Sequence, residues 1–265
     1  MSAWTSADYL RGEQYRDSSK LAVRASLHGH GRGDWFEWVA RQVRWPMAGE
    51  VLELGCGAGW LWEKGAGDIP EDLSLTLSDL SPGMVKEAVG RAESVGRWRR
   101  PRGQVADAAA LPFEDESFDL VLAMHMLYHL SDPAAGVREI ARVLRPGGMA
   151  VAATNGRETM AELFALKAAV FGGAGRDELI DGFNLENGAG LLASAFEKVE
   201  LVAYDDALTI PDPEAVLAYL TSSPPGDQAG PAELEALRGE IAAVFEAGGG
   251  VFRVRKSSGL FVCRK

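Results

Sequence analysis

The most constraining stretch of the chain is residues 51–62, VLELGCGAGWLW. Its first four residues, VLEL, have the composition of a short buried strand, apart from the acid Glu53. Glycine then recurs at 55, 57 and 59, just before a helical pattern. A glycine-rich turn between a strand and a helix lets backbone N–H groups approach an anionic or polar ligand closely. The stretch therefore predicts a strand, a ligand-binding turn and a helix, although many α/β proteins keep glycine at such a turn for steric reasons alone.

Strand and helix patterns alternate from residue 49 onward. This order implies βαβ units, with a parallel sheet and helices on both faces. Ligands of such sheets bind at the carboxyl ends of the strands, near the point where the strand order reverses. The loops after the first four strands are therefore predicted to carry the function. The predicted strands lie near 51–54, 73–77, 102–106, 118–124 and 149–154.

The rest of the chain is less regular and predicts segments that cover the sheet edge. Residues 1–48 predict an N-terminal helical cap, whose aromatic cluster of Trp35, Phe36 and Trp38 is either core or the roof of an apolar pocket. The domain proper is predicted to span 49–265. Within it we expect lid insertions at about 156–198 and 209–248, a strand at 199–208, and a C-terminal hairpin formed by 251–255 and 259–263.

Composition excludes several classes of function. The formal net charge of −11 disfavours a protein that binds nucleic acid through its phosphate backbone. No run of 18 apolar residues is present, so no membrane span is expected. The two cysteines form no CxxC motif and no His is spaced for zinc, which predicts a reducing, cytoplasmic setting and no metal.

Acidic residues stand at the ends of three neighbouring predicted strands: Glu53, Asp79 and Asp107. A carboxylate inside an apolar strand needs a partner, and an acid after the second strand commonly accepts hydrogen bonds from ribose hydroxyls. The two aspartates also have the alternative of capping a helix or turn, although Ser81 before Pro82 is the better cap and would leave Asp79 free. Three acids in one cleft suit an adenosine ligand with an amine and a positive charge, and they repel a pyrophosphate. Together with G-x-G-x-G spacing in place of G-x-G-x-x-G, this favours S-adenosyl-L-methionine over a dinucleotide.

Four segments resemble the class I S-adenosylmethionine-dependent methyltransferases, in particular the small-molecule methyltransferase-11 or UbiE-like group. The resemblance covers about residues 48–155 and implies a Rossmann-like, seven-stranded, mostly parallel sheet whose last strand is antiparallel. It also implies S-adenosyl-L-methionine as cofactor and S-adenosyl-L-homocysteine as product. The matching segments are VLELGCGAGWLW (51–62), LTLSDLSPGMV (75–85), VADAAALPFEDESFDLVLAMHMLYHL (105–130) and EIARVLRPGGMAVAAT (139–154).

The same resemblance assigns expected roles to individual residues. The turn (Gly55, Cys56, Gly57 and Gly59) and Glu53 are expected to hold the methionine part of the cofactor. Asp79 is expected to take the ribose hydroxyls, Leu80 and Met84 to line the adenine, Asp107 with Ala108 to meet the adenine amine, and Met124 to lie near the sulfonium. A looser match of the N-terminal segment would bring Tyr15 to the sulfonium and Arg24 to the cofactor carboxylate.

Methyl transfer needs alignment, and a hydroxyl acceptor usually needs a base as well. The candidate bases are His125 and His129, with His125 preferred because it lies closer to the strand end; their i, i+4 spacing would align them if the loop is helical. The substrate contacts suggested by position are Tyr128, Asn155, Phe183 and Asn187.

The sequence thus predicts methyl transfer to an O, N or C nucleophile of a small organic molecule, with secondary metabolism as the hypothesised setting. The alternatives are an NAD(P)-dependent oxidoreductase and a non-catalytic binding module on the same fold. The methyl acceptor and the oligomeric state are not encoded in any pattern of the sequence.

Overall fold

One seven-stranded sheet organises residues 18–265, the part of the chain that this computed structural model describes. The strand order is β3-β2-β1-β4-β5-β7-β6, so it reverses between β1 and β4. β7 is antiparallel to both of its neighbours, and the other adjacent pairs are parallel. The predicted fold class is confirmed. The strands are β1 (Ala48–Leu54), β2 (Asp72–Asp79), β3 (Arg102–Val105), β4 (Phe118–Met124), β5 (Leu144–Asn155), β6 (Lys198–Ile210) and β7 (Phe252–Arg264).

Two of the helices beside the sheet begin where the sequence supplies a cap and a proline. The hydroxyl of Ser81 accepts a hydrogen bond from the Met84 N–H, and the carboxylate of Asp132 accepts one from the Ala134 N–H. Each cap precedes a proline at the first helical position, where the missing N–H costs nothing. The α-helices are α1 (Ser19–His28), α2 (Trp35–Gln42), α3 (Trp60–Lys64), α4 (Pro82–Val95), α5 (Pro133–Val143), α6 (Ala161–Phe171), α7 (Gly188–Leu192), α8 (Pro213–Leu220) and α9 (Pro231–Ala247).

Both faces of the sheet are packed, as the near-continuous apolar run of β4 requires. Leu120 and Leu122 lie in a core shared with α2, α3 and α4 on one face. Val121 and Ala123 point to the other face, into a core shared with α5 and α7. The alternation of side chains along one strand therefore fills two cores and fixes the position of the carboxyl ends of the strands.

A third core lies outside the sheet, around an extension of β6 and β7. The pairing of β5 with β7 ends at Asn155 and Ser258, whereas the pairing of β6 with β7 continues to Ile210 and Phe252. Residues 205–210 and 252–257, which we call the ribbon, therefore project beyond the carboxyl edge of the parallel strands. Apolar side chains of the ribbon pack against α1, α6, α8 and α9, and the buried set includes Leu27, Leu163, Leu166, Leu208, Ile210, Val216, Leu217, Leu237, Ile241, Phe252 and Val254.

The predicted C-terminal hairpin is wrong. Residues 251–255 and 259–263 belong to one continuous strand, β7, and the intervening KSSG is paired across the ladder with residues 203–206 of β6. Serine and glycine at this point indicate a turn locally, but the edge of β6 offers hydrogen-bond partners that keep the chain extended. No helix within residues 18–265 is both long enough and apolar enough to cross a membrane.

Candidate functional site

A cavity of about 950 Å³ lies at the carboxyl ends of the central strands, between the sheet edge and the helices α1, α2 and α6. It occupies the place where the strand order reverses, the usual ligand position in open α/β sheets. Most of the residues that the sequence suggested line this one cavity: Arg24, Glu53, Gly55, Cys56, Gly57, Asp79, Leu80, Met84, Asp107, Ala108, Met124, His125, Tyr128, His129 and Asn155.

Gly57 and Gly59 in the turn have different structural roles. Gly57 has φ +51°, and among residues 18–265 a Cβ built there would meet only the end of Leu21, at 3.6 Å, so this backbone lines the cavity without close packing against that part of the chain. Gly59 has φ +76°, and a Cβ there would lie 2.7 Å from the Cα of Ala88. Gly59 does not line the cavity within residues 18–265. It lets α3 pack against α4, which is a steric reason for glycine, and so the direct cofactor contact expected of it is not part of the observed site.

Glu53 is a buried carboxyl group at the floor of the cavity. Only 2% of it is exposed, and its Oε2 accepts a hydrogen bond of 2.5 Å from the indole Nε1–H of Trp62. Burial raises the pKa of Glu53 to about 8; the Trp62 hydrogen bond opposes the shift and the nearby Asp79 adds to it. A carboxyl group held this way becomes ionised readily only when a cation arrives beside it.

Asp79 connects the ends of the first two strands. Its carboxylate accepts hydrogen bonds from the Gly57 N–H at 3.0 Å and the Ser81 N–H at 2.9 Å. The expectation that the Ser81 cap leaves Asp79 free is therefore wrong: Ser81 does cap α4, but its own N–H still needs an acceptor. Burial raises the pKa of Asp79, although these backbone bonds oppose the shift. Asp107 follows β3 and accepts one backbone bond, from the Ala109 N–H at 2.8 Å, so both aspartates keep lone pairs for a ligand.

His125 is held immediately after β4 in a left-handed backbone conformation, with φ +54°. Its N–H donates to the carbonyl of Ala153 at 3.1 Å, and its ring lies 5.0 Å from that of Trp35. Burial, with smaller contributions from the charge of Lys256 and from the neighbouring His129, lowers the pKa of His125 to about 3. An imidazole with so low a pKa is neutral at pH 7 and is a weak base.

His129 ends a short 3-10 helix, Leu127–His129, and packs against Tyr128 with 4.8 Å between ring centroids. His125 lies outside this turn, so the helical alignment of the two histidines suggested by their spacing is absent. Within the described part of the chain, no group of three or more His, Cys, Asp or Glu side chains is placed to hold a metal ion.

Phe183 and Asn187 are not among the residues that line the cavity. Phe183 is fully buried and packs on Phe261, with 5.9 Å between ring centroids, because it belongs to the core behind the sheet. Asn187 accepts from the Asn184 N–H and donates to the Asp181 carbonyl, which closes a loop. The proposed substrate contacts of both residues are therefore corrected to structural ones, and Tyr15 lies outside the described residues.

Lys256 is the main cavity residue that the sequence reasoning missed. It lies on the ribbon, only 9% of it is exposed, and it lines the cavity. The period-2 pattern of β7 contains the signal, because Phe252, Val254 and Lys256 alternate with the exposed Arg253 and Arg255. A lysine in register with buried apolar residues marks a charged group that faces inward.

Comparisons with known proteins agree with this geometry. Residues 52–152 match the methyltransferase-11 family, described as a methyltransferase domain. The malonyl-acyl-carrier-protein O-methyltransferase of Hahella chejuensis is 32% identical over 165 residues, which cover 61% of this chain and 57% of that protein. The ubiquinone/menaquinone biosynthesis C-methyltransferase of Geobacter sulfurreducens is 33% identical over 119 residues, covering 44% of this chain and 46% of that protein. The chain thus spans about half the length of these curated relatives.

Solved structures show the same fold. The phosphoethanolamine N-methyltransferase 2 of Haemonchus contortus, in complex with S-adenosyl-L-methionine, superposes with a TM-score of 0.59 at 20% identity. The match covers 100% of this chain and 60% of that one. At this level of identity the likeness concerns the fold alone.

Proposed function

This chain belongs to the class I S-adenosyl-L-methionine-dependent methyltransferases, and from that premise we propose that it methylates a small organic molecule. The observation that carries the proposal is the buried Glu53 beside the open turn at Gly57. Glu53, whose pKa is raised to about 8, can give up its proton when an ammonium group binds beside it and so become its ion-pair partner.

The acidic floor fits the cofactor residue by residue. We assign Glu53 to the ammonium group of the methionine part, Asp79 to the ribose hydroxyls and Asp107 to the adenine amine. Leu80 and Met84 supply apolar walls for the adenine. Arg24, on α1, lines the same cavity and is assigned to the cofactor carboxylate.

We assign catalysis at this site mainly to the alignment of the methyl acceptor with the cofactor. The bound cofactor supplies an electrophilic methyl group on a sulfonium, and the protein's part is to hold the acceptor in line with it and to exclude water. Met124 and Tyr128, which line the cavity, are assigned to the path to the acceptor. His125 is a poor general base because its pKa is about 3, so we assign it a hydrogen-bonding role at the acceptor.

We propose that the acceptor side is covered by helices outside the sheet, namely α1, α2 and the helices of the predicted lid segments, α6 to α9. The relatives act at oxygen and at carbon by their names, so the methylated atom does not transfer from them. The two cysteines, Cys56 and Cys263, are free and buried, which fits action in a reducing compartment such as the cytoplasm.

Transfer of a labelled methyl group tests this function. The protein is incubated with methyl-labelled S-adenosyl-L-methionine and a protein-free metabolite fraction, with the double variant Asp79→Asn, Asp107→Asn as control. We expect label in a small organic product with the wild-type protein and at least about tenfold less with the double variant. Equal transfer by both proteins would contradict the site, and label that never leaves the cofactor would contradict the function.

A further inference from the structure

Lys256 brings a positive charge into the acceptor side of the cavity. It lies on β7 immediately beyond the point where that strand stops pairing with β5, and therefore above the carboxyl ends of the parallel strands. Because the ribbon extends past the end of β5, it positions Lys256 beyond the strand ends. The acids assigned to the cofactor lie at the ends of β1, β2 and β3, on the other half of the sheet.

The ammonium group is held by aromatic faces. Its Nζ lies 5.6 Å from the ring centroid of Trp35 and 5.4 Å from that of Tyr204, distances at which a cation is attracted by the ring quadrupole. Burial lowers the pKa of Lys256, and the carboxylates of Asp206 and Asp34 oppose that shift. The rings and the acids thus keep a charge on a side chain that has little water around it.

The two carboxylates that act on Lys256, those of Asp206 and Asp34, are already engaged in other hydrogen bonds. Asp206 is the cross-strand partner of Lys256, yet among residues 18–265 the two side chains form no ion pair within 4.0 Å. The Oδ1 of Asp206 instead accepts hydrogen bonds from the Arg32 N–H at 3.0 Å and the Ala207 N–H at 2.8 Å. Asp34 likewise accepts from Lys64, at 2.7 Å. The ammonium group of Lys256 therefore keeps its donors available on the cavity side.

The other polar groups around Lys256 do not supply an acceptor with a charge. Burial, with a smaller contribution from the charge of Lys256, lowers the pKa of His28 to about 3, so His28 is neutral at pH 7, as is His125. The buried Nε1 of Trp35 and Nδ1 of His28 have no hydrogen-bond partner among the described residues. A cluster that contains unpaired polar nitrogens and a cation is completed by a ligand that carries acceptors.

We propose that Lys256 binds an anionic oxygen of the methyl acceptor, so that the substrate class is an apolar or aromatic molecule with a carboxylate or an ionised acidic hydroxyl group. This proposal rests on the proposed function. A neutral acceptor would leave Lys256 and the cofactor sulfonium as two positive charges in one cavity, whereas an anion between them is attracted by both. The aromatic and apolar lining of the cavity, which includes Trp35, Tyr128, Met160 and Phe164, suits the body of such a molecule.

The test measures binding of small probes to protein that is already loaded with S-adenosyl-L-homocysteine. Phenylacetate and 2,4-dinitrophenolate represent the carboxylate and the ionised hydroxyl, and phenylacetamide and 2,4-dinitroanisole are their neutral counterparts. Saturation-transfer NMR or calorimetry gives the affinities. The variants are Lys256→Met, which keeps the length without the charge, and Lys256→Arg, which keeps the charge. Lys198→Met removes an exposed lysine from the neighbouring strand and serves as the matched control.

We expect the loaded wild-type protein to prefer at least one anion over its neutral counterpart by about tenfold or more. Lys256→Met should abolish that preference, Lys256→Arg should keep most of it, and Lys198→Met should leave it unchanged. The preferred anion distinguishes a carboxylate from an acidic hydroxyl. Equal binding of anions and neutral probes, no anion binding at millimolar concentration, or a preference that survives in Lys256→Met would each overturn the proposal.

The same samples separate this inference from the proposed function. Lys256 is not among the residues assigned to the cofactor, so Lys256→Met should bind S-adenosyl-L-homocysteine within about twofold of wild type. If wild type does not bind S-adenosyl-L-homocysteine, the proposed function fails; if it does and the anion preference is absent, only the role of Lys256 fails. Should Lys256→Met not fold, the comparison of Lys256→Gln with Lys256→Arg decides the same point.

Discussion

Trp62 donates its indole N–H to the carboxyl group of Glu53 over 2.5 Å, and both side chains are almost completely buried. Trp62 belongs to the helix that follows the glycine turn, and Glu53 to the strand that precedes it. The bond therefore joins the two sides of the turn from below. It also fixes a carboxyl group at the cavity floor for which no positively charged partner is found among residues 18–265, and several measurable consequences follow from that position.

Cofactor binding should depend on pH through Glu53. In the free protein the pKa of Glu53 is about 8, so the group is protonated at neutral pH. An ammonium group placed beside it favours the ionised form, so binding releases a proton. The affinity for S-adenosyl-L-homocysteine should then rise by up to about tenfold per pH unit toward pH 8 and level off above it. Calorimetry at several pH values measures this. A flat profile in wild type, identical to that of Glu53→Gln, would contradict the assignment.

The stability of the free protein should fall with rising pH for the same reason. The folded-state pKa of Glu53 is raised above its ordinary value of 4.5, so the folded protein holds this proton more tightly than the unfolded chain. Its contribution to stability is full below about pH 4.5 and is lost as the pH rises through about 8. Glu53→Gln should therefore raise the melting temperature at alkaline pH by about 2 °C or more, relative to wild type. The exposed Glu93→Gln serves as the control and should show no such gain.

Glycine-to-alanine substitutions at the glycine turn and inside α4 should have opposite effects on stability. Gly59→Ala places a Cβ 2.7 Å from the backbone of Ala88 at a positive φ, and we expect it to lower the free energy of unfolding by about 2 kcal/mol or more. Gly90→Ala, inside α4 with no heavy atom within 4 Å of the new methyl group, should instead stabilise by roughly 0.5–1 kcal/mol. Chemical denaturation of both variants measures the two signs. A Gly59→Ala protein as stable as wild type would show that the close packing at this turn is not as described.

Asp79→Ala should weaken the binding of S-adenosyl-L-homocysteine by roughly 1–3 kcal/mol, because the ribose hydroxyls and the Gly57 N–H both lose their acceptor. Asp79→Asn keeps one oxygen for the backbone bonds and should lose less. Titration calorimetry on the two variants gives the order. Unchanged affinity in Asp79→Ala would remove this residue from the cofactor site.

His28 and His125 should remain neutral from about pH 5 upward, because burial lowers the pKa of each to about 3. Their ring C–H resonances, identified by His28→Gln and His125→Gln, should not move between about pH 5 and pH 8. Turnover should accordingly show no acidic limb from either residue in that range. A His125 resonance that titrates near 6.5, the ordinary pKa of histidine, would restore His125 as a candidate general base.

The sequence predicted the part of the fold in which local signals and long-range pairing agree. The beginning of the α4 helix was predicted because Ser81 and Pro82 both mark it locally. β4 was predicted to its ends because an apolar run of seven residues at that place fits only a central strand. The three acids lie where the alternation of strands and helices put them, since the carboxyl ends of parallel strands meet at one edge.

What could not be predicted depends on partners that are distant in the sequence. KSSG at 256–259 has turn-forming residues, and only the edge of β6 keeps it extended. The inward position of Lys256 follows from that pairing, and so was missed with it. Phe183 and Asn187 were assigned to the substrate because they lie in a polar loop, whereas the structure buries one behind the sheet and uses the other to close the loop.

Calorimetric titration with S-adenosyl-L-homocysteine, with NAD in parallel, tests the central claim most directly. We predict micromolar binding of S-adenosyl-L-homocysteine, with release of protons at pH 7. We predict no binding of NAD, because its pyrophosphate would meet Glu53, Asp79 and Asp107. Binding of NAD without S-adenosyl-L-homocysteine, or of neither ligand, would contradict the assignment of this cavity to the methyl donor.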